Sequence, residues 1–189
     1  MEDGEAVARP EGKGDADRRF EELGREWLPR AAAYARAFGG LSAEDREDLA
    51  AEAVAKAWLA IDGYDERRPF APWFFAIVRR LTLDALDRKR REGAFGGASC
   101  GIDPLAEAVS THRGAEEELL RKETAGFVAG FVAGLPPADR ELASLVYGQD
   151  LRLAEAARVA GMAVGTAKWR LFEIRKALRK AWEREYGEA

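Results

Sequence analysis

Residues 151–179 run LRLAEAARVAGMAVGTAKWRLFEIRKALR. Leu151, Leu153, Ala154, Ala157 and Val159 give a short helix an apolar face. Gly161-Met162-Ala163-Val164 makes a tight turn, and Gly165-Thr166 opens a longer helix. Two helices joined by a short Gly-containing turn follow the helix-turn-helix plan, whose second helix enters the DNA major groove. Thr166 is placed to cap that second helix, where the positive end of the dipole favours a phosphate. Lys168, Arg170, Arg175, Lys176, Arg179 and Lys180 supply phosphate-neutralising charge, while Leu171, Ile174 and Leu178 remain to face a core. A basic solvated face on a C-terminal helix would explain the charge alone, but not the turn that precedes it.

Upstream, the chain is patterned for helices throughout, and no segment sustains strand alternation. Residues 1–15 hold Gly4, Pro10, Gly12 and Gly14 among charges and read as a disordered tail. Phe20, Leu23, Trp27, Ala31, Tyr34, Ala35 and Phe38 recur at helical spacing up to Gly39-Gly40, with a kink or break expected at Pro29. Ser42 to Asp45 fits a capping box except that Asp45 stands in place of Glu or Gln, opening a helix with the stripe Leu49, Ala53, Val54, Ala57, Trp58 and Ile61. After the loop 62–69, Pro72 suits the first turn of a third helix. That helix buries Trp73, Phe74, Ile77, Val78, Leu81 and Leu86 and ends in Arg88-Lys89-Arg90-Arg91.

Glycine, serine and proline then mark 92–115 as a linker. Helical periodicity resumes at Leu119, Leu120, Phe127 and Phe131 until Pro136-Pro137, and three further helices fit near 137–147, 151–160 and 165–185. Gly126, Gly130 and Gly134, four apart, suggest close packing against a neighbouring helix. The expected fold is all-α: two small helical bundles, 16–91 and 116–186, joined by the flexible linker.

Charge sharpens this division. Thirty Lys and Arg against 34 Asp and Glu give a net charge of −4, yet 42–60 carries five acids and two bases and 164–184 seven bases and two acids. Such segregation suits a chain that meets a polyanion with one surface and a protein with another. With 47% hydrophobic residues there is material for a core, and no run approaches the ~20 apolar residues of a membrane span. The polar N-terminus lacks an apolar signal core, so a cytoplasmic location is expected. A single cysteine, Cys100, and a single histidine, His112, exclude a disulfide framework and a Cys/His metal cluster within one chain. No catalytic constellation, metal site or cofactor is expected, since the acids lie on helix starts and solvated faces.

The motif Leu135-Pro136-Pro137-Ala138-Asp139-Arg140-Glu141 is followed by Ala154-Glu155-x-Ala157, Gly161 and Val164-Gly165-Thr166-x-Lys168-x-Arg170-Leu171. Together they resemble region 4 of bacterial RNA polymerase sigma factors, most closely the extracytoplasmic-function (ECF) class of the sigma-70 family. EDLAAEAVAKAW at 47–58 and FAPWFFAIVRRLTLDALDRKRR at 70–91 resemble region 2 of the same class. The resemblance implies that 16–91 binds core polymerase at the β′ clamp helices and melts the minus-ten promoter element. It implies that 116–186 reads the minus-thirty-five element and touches the β flap. Glu47, Asp48 and Glu52 match the polymerase-docking surface, as an acidic face facing a basic coiled coil. Tyr64, Arg67, Arg68, Arg79, Arg80 and Arg88 fall where the family grips the minus-ten strand, which needs a base pocket and a cationic track. Thr166, Lys168, Trp169, Arg170, Phe172, Glu173, Arg175 and Lys176 fall on the minus-thirty-five helix.

Departures from the family pattern bear on promoter sequence. Ala51 stands for a common Gln, Ala55 for a large apolar residue and Arg80 for an Asn; Trp169, Phe172 and Glu173 replace a small polar residue, a His and an Arg. The resemblance also implies an anti-sigma factor as a partner, beside promoter DNA and core polymerase. Two other readings stay open on the residues alone. One is a stand-alone helix-turn-helix regulator with an N-terminal dimerisation bundle. The other is a sigma-like antagonist that has lost promoter opening. An enzyme acting on DNA has no converging carboxylates to support it.

Overall fold

The computed structural model describes residues 13–93 and 115–187. Most of the expected tail and linker, with Cys100 and His112, lies outside the described residues. Every regular element among the described residues is helical. No helix among them is long and apolar enough to cross a membrane.

In the first half, α1 (Lys13–Ala35), α2 (Ala43–Leu59) and α3 (Phe70–Arg91) pack on one another. Helix α1 begins inside the stretch expected to be tail and runs through Pro29 as one helix, not two pieces. Its buried stripe of Leu23, Trp27, Ala31 and Tyr34 holds it against α2 and α3, offsetting the roughly 3 kcal/mol that an interior proline costs. Trp27 meets Phe70 and Phe74 edge-on at centroid distances of 4.8 and 5.0 Å. Tyr34 meets Phe75 and Phe38 edge-on, both at 5.3 Å. Such edge-on pairs add about 0.5–1.5 kcal/mol each beyond area burial.

The capping box at Ser42 forms as expected: Asp45 N donates to Ser42 Oγ at 3.1 Å, and Ser42 N donates to Asp45 Oδ2 at 2.6 Å. Lys89, near the end of α3, adds a 2.5 Å bond to the same Asp45 oxygen. One member of the basic run thus joins two helices, and Arg91 donates back to the Asp87 carbonyl. Partial burial pushes the Asp45 carboxyl up, but the bonds from Lys89 and Ser42 outweigh it and lower its pKa to about 2.

In the second half are α4 (Ala115–Ala133), α5 (Pro137–Ala143), α6 (Leu153–Val159) and α7 (Val164–Tyr186). A turn of π-helix, Ser144–Gly148, extends α5. Asp150 then adopts φ 56°, a left-handed conformation that aspartate tolerates, and Leu151 N returns to the Leu145 carbonyl at 3.0 Å. The glycine spacing in α4 does not mark close packing, because a Cβ at Gly126 or Gly130 would meet nothing within 4 Å.

The helix-turn-helix is present, with local corrections. Helix α6 buries Ala156, Ala157 and Val159, while Ala154 is exposed. It ends in a Schellman motif: Gly161 at φ 68° donates to Arg158 O at 3.2 Å, and Met162 N to Ala157 O at 2.9 Å. Helix α7 opens at Val164, behind Ala163 and without a side-chain cap, so Thr166 lies inside the first turn and is not the cap.

The two halves are packed together, and one apolar cluster runs from Leu23 to Ile174 through both. Helix α6 lies on α3, and α5 on the 3₁₀ turn Arg36–Phe38. Four side chains add polar bonds across the junction. Arg30 Nε donates to Gln149 Oε1 at 3.1 Å, and Arg140 Nε to Ala37 O at 2.6 Å. Tyr34 Oη and Arg79 Nε both donate to Glu141 Oε1, at 2.9 and 2.7 Å.

Two predictions follow from this packing. Phe75→Ala removes a fully buried ring from the aromatic lattice and is expected to cost about 3 to 5 kcal/mol in urea unfolding, whereas truncating exposed Glu21 should cost under about 0.5 kcal/mol. Asp45 has a folded pKa of about 2, below its unfolded value near 3.8, so its contribution is full above that value and lost as pH falls toward 2. Asp45→Asn should therefore lower stability at pH 7 and narrow its gap to the parent between about pH 4 and 2, as measured by acid titration of the helical signal.

Candidate nucleic-acid interface

Helix α7 divides cleanly by face. Ala167, Leu171 and Ile174 are buried against α5 and α6, as the 3.6-residue period requires. Lys168, Trp169, Phe172 and Lys176 share the opposite, solvent-facing side, beginning beyond Thr166 in the first turn. Trp169 is 62% and Phe172 60% exposed, a degree unusual for large apolar side chains. Glu173 is half-buried beside them.

Two arginines of α7, Arg170 and Arg175, are engaged by other side chains. Arg170 Nη1 donates to Asp139 Oδ1 at 2.5 Å, and its Nε is buried without a partner. Its charge is spent joining α7 to α5, a role that helical spacing cannot reveal. Arg175 Nε donates to the Tyr147 hydroxyl at 2.6 Å, with the guanidinium 5.6 Å from that ring. Asp139 and Tyr147 hold these two arginines, partners that spacing along one helix does not reveal.

In the first half, Tyr64 packs its ring on Phe70 and Trp73 at 5.4 and 5.0 Å, and its hydroxyl donates to the Arg68 carbonyl. Partial burial, then the charges of Glu66 and Asp65, push its phenol above the ordinary range. Asp65 collects both loop arginines, Arg67 Nε at 2.8 Å and Arg68 Nε at 3.4 Å, and the bonds from Arg67 lower its carboxyl pKa. These pairs are exposed, so a polyanion can displace them at little cost. Arg80 is exposed on α3.

Arg88 lines a groove of about 230 Å³ between α2 and α3 with Asp45, Asp48, Glu52, Lys56 and Asp84. Glu52 pairs with Lys56 at 2.8 Å on its rim, and Glu47 is exposed on the same helix. The acids expected to meet a protein and an arginine expected to meet DNA thus share one groove.

Arg79 sits apart from all of these. Its guanidinium points into the junction, to Glu141 Oε1 at 2.7 Å and to Ala160 O at 3.3 Å. Glu141, 6% exposed, was missed as a site residue: it is a charged residue flanked by the buried Leu142 and Ala143, its partners 62 and 107 residues away in sequence.

Comparison with known proteins agrees with this geometry. The family description Sigma-70 region 2 matches residues 23–92, which span most of α1 through α3. The ECF RNA polymerase sigma factor SigW of Bacillus subtilis is 29% identical over 139 residues, covering 72% of this chain and 74% of that protein. The RNA polymerase sigma factor CnrH of Cupriavidus metallidurans is 27% identical over 94% of this chain and 93% of its own. The solved structure of CnrH with the cytosolic domain of CnrY superposes with a TM-score of 0.57 at 26% identity, over 89% of this chain and 90% of that one. The sigma factor RpoE of Bartonella quintana, solved with the anti-sigma factor NepR, shares the fold at a TM-score of 0.62 and 22% identity, over 89% of this chain and 97% of that one. Residues 23–92 thus carry a sigma-70 region 2, and the chain as a whole is similar to RNA polymerase sigma factors of the extracytoplasmic-function class.

Proposed function

We propose that this chain binds core RNA polymerase and directs promoter-specific transcription initiation, acting in the cytoplasm and leaving nucleotidyl transfer to the polymerase. One observation carries the reading: a region 2 match over 23–92 stands on the same chain as a helix-turn-helix with an exposed face of Lys168, Trp169, Phe172 and Lys176. In this reading 16–91 is region 2, 92–115 the linker and 116–186 region 4.

Each surface has chemistry suited to its part. Glu47, Asp48 and Glu52 offer an acidic face to a basic polymerase coiled coil. Tyr64, with Arg67 and Arg68 in the same loop, supplies an aromatic platform and cations for an unstacked strand, and Arg80 and Arg88 on α3 extend the cationic track. Trp169 and Phe172 suit thymine methyl groups, Glu173 suits a cytosine amino group, and Thr166, Lys168, Arg175 and Lys176 suit phosphates. Arg170 supports this face through Asp139. An anti-sigma factor is a further expected partner, in keeping with the CnrH and RpoE structures, solved with CnrY and with the anti-sigma factor NepR.

Run-off transcription on a genomic promoter pool, with sigma-free core polymerase, should yield new discrete start sites only when this chain is added. Trp169→Ala with Phe172→Ala should abolish or redirect them. Core binding without new starts would instead favour a sigma-like antagonist, and no core binding a stand-alone regulator. On a promoter duplex recovered this way, Lys168→Ala should reduce the slope of log affinity against log salt by about 0.9, the effect of one lost phosphate contact. Arg170→Ala should lower stability and leave that slope unchanged.

A further inference from the structure

Glu141 is a buried carboxylate that the proposed function does not use. It belongs to α5, yet both of its hydrogen-bond donors lie in the other half: the Tyr34 hydroxyl of α1 at 2.9 Å and the Arg79 guanidinium of α3 at 2.7 Å. Arg79 also reaches the Ala160 carbonyl at the end of α6, so one side chain bridges two elements of the second half. Tyr34 is fully buried, while the Arg79 side chain is 29% exposed. Removing the second half would leave Arg79 beside open solvent, on the same helix as Arg80 and Arg88.

The junction is apolar as well as polar, since Leu142 and Leu145 of the second half are fully buried in the shared cluster. Helix α6, which lies on α3, contributes only Ala156, Ala157, Val159 and Ala160, and none of them is large. Small residues give little area, so where α6 meets α3 the polar bonds carry more of the choice between docked and separated halves. A buried ion pair of this kind gives specificity more readily than net stability, because desolvation offsets much of the attraction.

We propose that Glu141 is a latch: it holds the two halves closed and occupies Arg79, so Arg79 becomes available to a DNA strand only when the halves part. The inference rests on the assignment of Arg79 to the strand-gripping surface. A strand that needs the open form binds with an apparent affinity reduced by the fraction of open molecules. Weakening the latch therefore raises strand binding with no new contact to DNA.

The test uses the full chain with dyes on Glu21→Cys and Glu185→Cys, exposed positions in the two halves, in a Cys100→Ser background. Glu141→Gln keeps the shape and removes the charge, and Tyr34→Phe removes a single hydroxyl should the first variant fold poorly. Energy transfer is expected to fall in both, with the helical signal retained. Binding of a fluorescent 15-nucleotide single strand of mixed sequence at low salt should strengthen about three-fold or more in Glu141→Gln. Arg79→Ala should then weaken binding in the Glu141→Gln background, while in the parent, where it also breaks the latch, it should lower energy transfer.

Unchanged energy transfer in both folded variants overturns the latch, as does an Arg79→Ala loss that is equal in the two backgrounds. A fall in transfer with an Arg79-independent gain in binding supports the latch and removes Arg79 from the strand surface. Failure of the parent chain to bind core polymerase would overturn the proposed function alone, since the dye measurement needs no polymerase.

Discussion

The phenol of Tyr34 joins the two kinds of order in this structure. Its ring lies edge-on to Phe75 and Phe38 inside the aromatic lattice of the first three helices, and its hydroxyl donates to Glu141 of the second half. Burial, reinforced by the neighbouring Glu141 charge, pushes its proton loss far above the ordinary range, so the group remains a donor at any physiological pH. The lattice fixes where the hydroxyl stands, the hydroxyl helps fix Glu141, and Glu141 fixes Arg79. Positioning thus passes from apolar packing to charge through a single oxygen atom.

The basic side chains follow a different logic. Arginine, planar and rigid, is used for internal joints: Arg170 to Asp139, Arg175 to Tyr147, Arg140 to the Ala37 carbonyl and Arg30 to Gln149. Lys168 and Lys176 carry solvent-facing charge on the same side as Trp169 and Phe172, and Arg179 and Lys180 continue it along the helix. Counting basic residues along the helix therefore overstates the charge available to a polyanion. The exposed rings shift the balance of this face from electrostatic attraction toward shape and apolar contact.

What was legible beforehand was local. The capping box at Ser42, the stripe through Trp27 and Tyr34, the helix before and after Gly161 and the burial of Leu171 and Ile174 each follow from spacings within one or two turns. Errors arose where distant partners decide. Pro29 stays helical because packing outweighs its cost, and Gly126 and Gly130 face open space despite their helix-packing spacing. Thr166 is a good capping residue placed three positions too late. The engagement of Arg79 by Glu141 and of Arg170 by Asp139 depends on side chains 62 and 31 residues away, for which a single sequence offers no periodic signal.

The π turn at Ser144–Gly148 limits how this protein can change in length. It sets the rotational phase at which Gln149 leaves α5, and Gln149 must then meet the Arg30 guanidinium with both its side chain and its carbonyl. Deleting one residue before Gln149 would turn that position by about 100° and carry it off its partner. Insertions or deletions between Pro137 and Gln149 are thus confined by the junction, at the exposed Pro137, Tyr147 and Gly148 as well as at the buried positions. Sequence drift there is free in composition at exposed positions such as Gly148 but not in count.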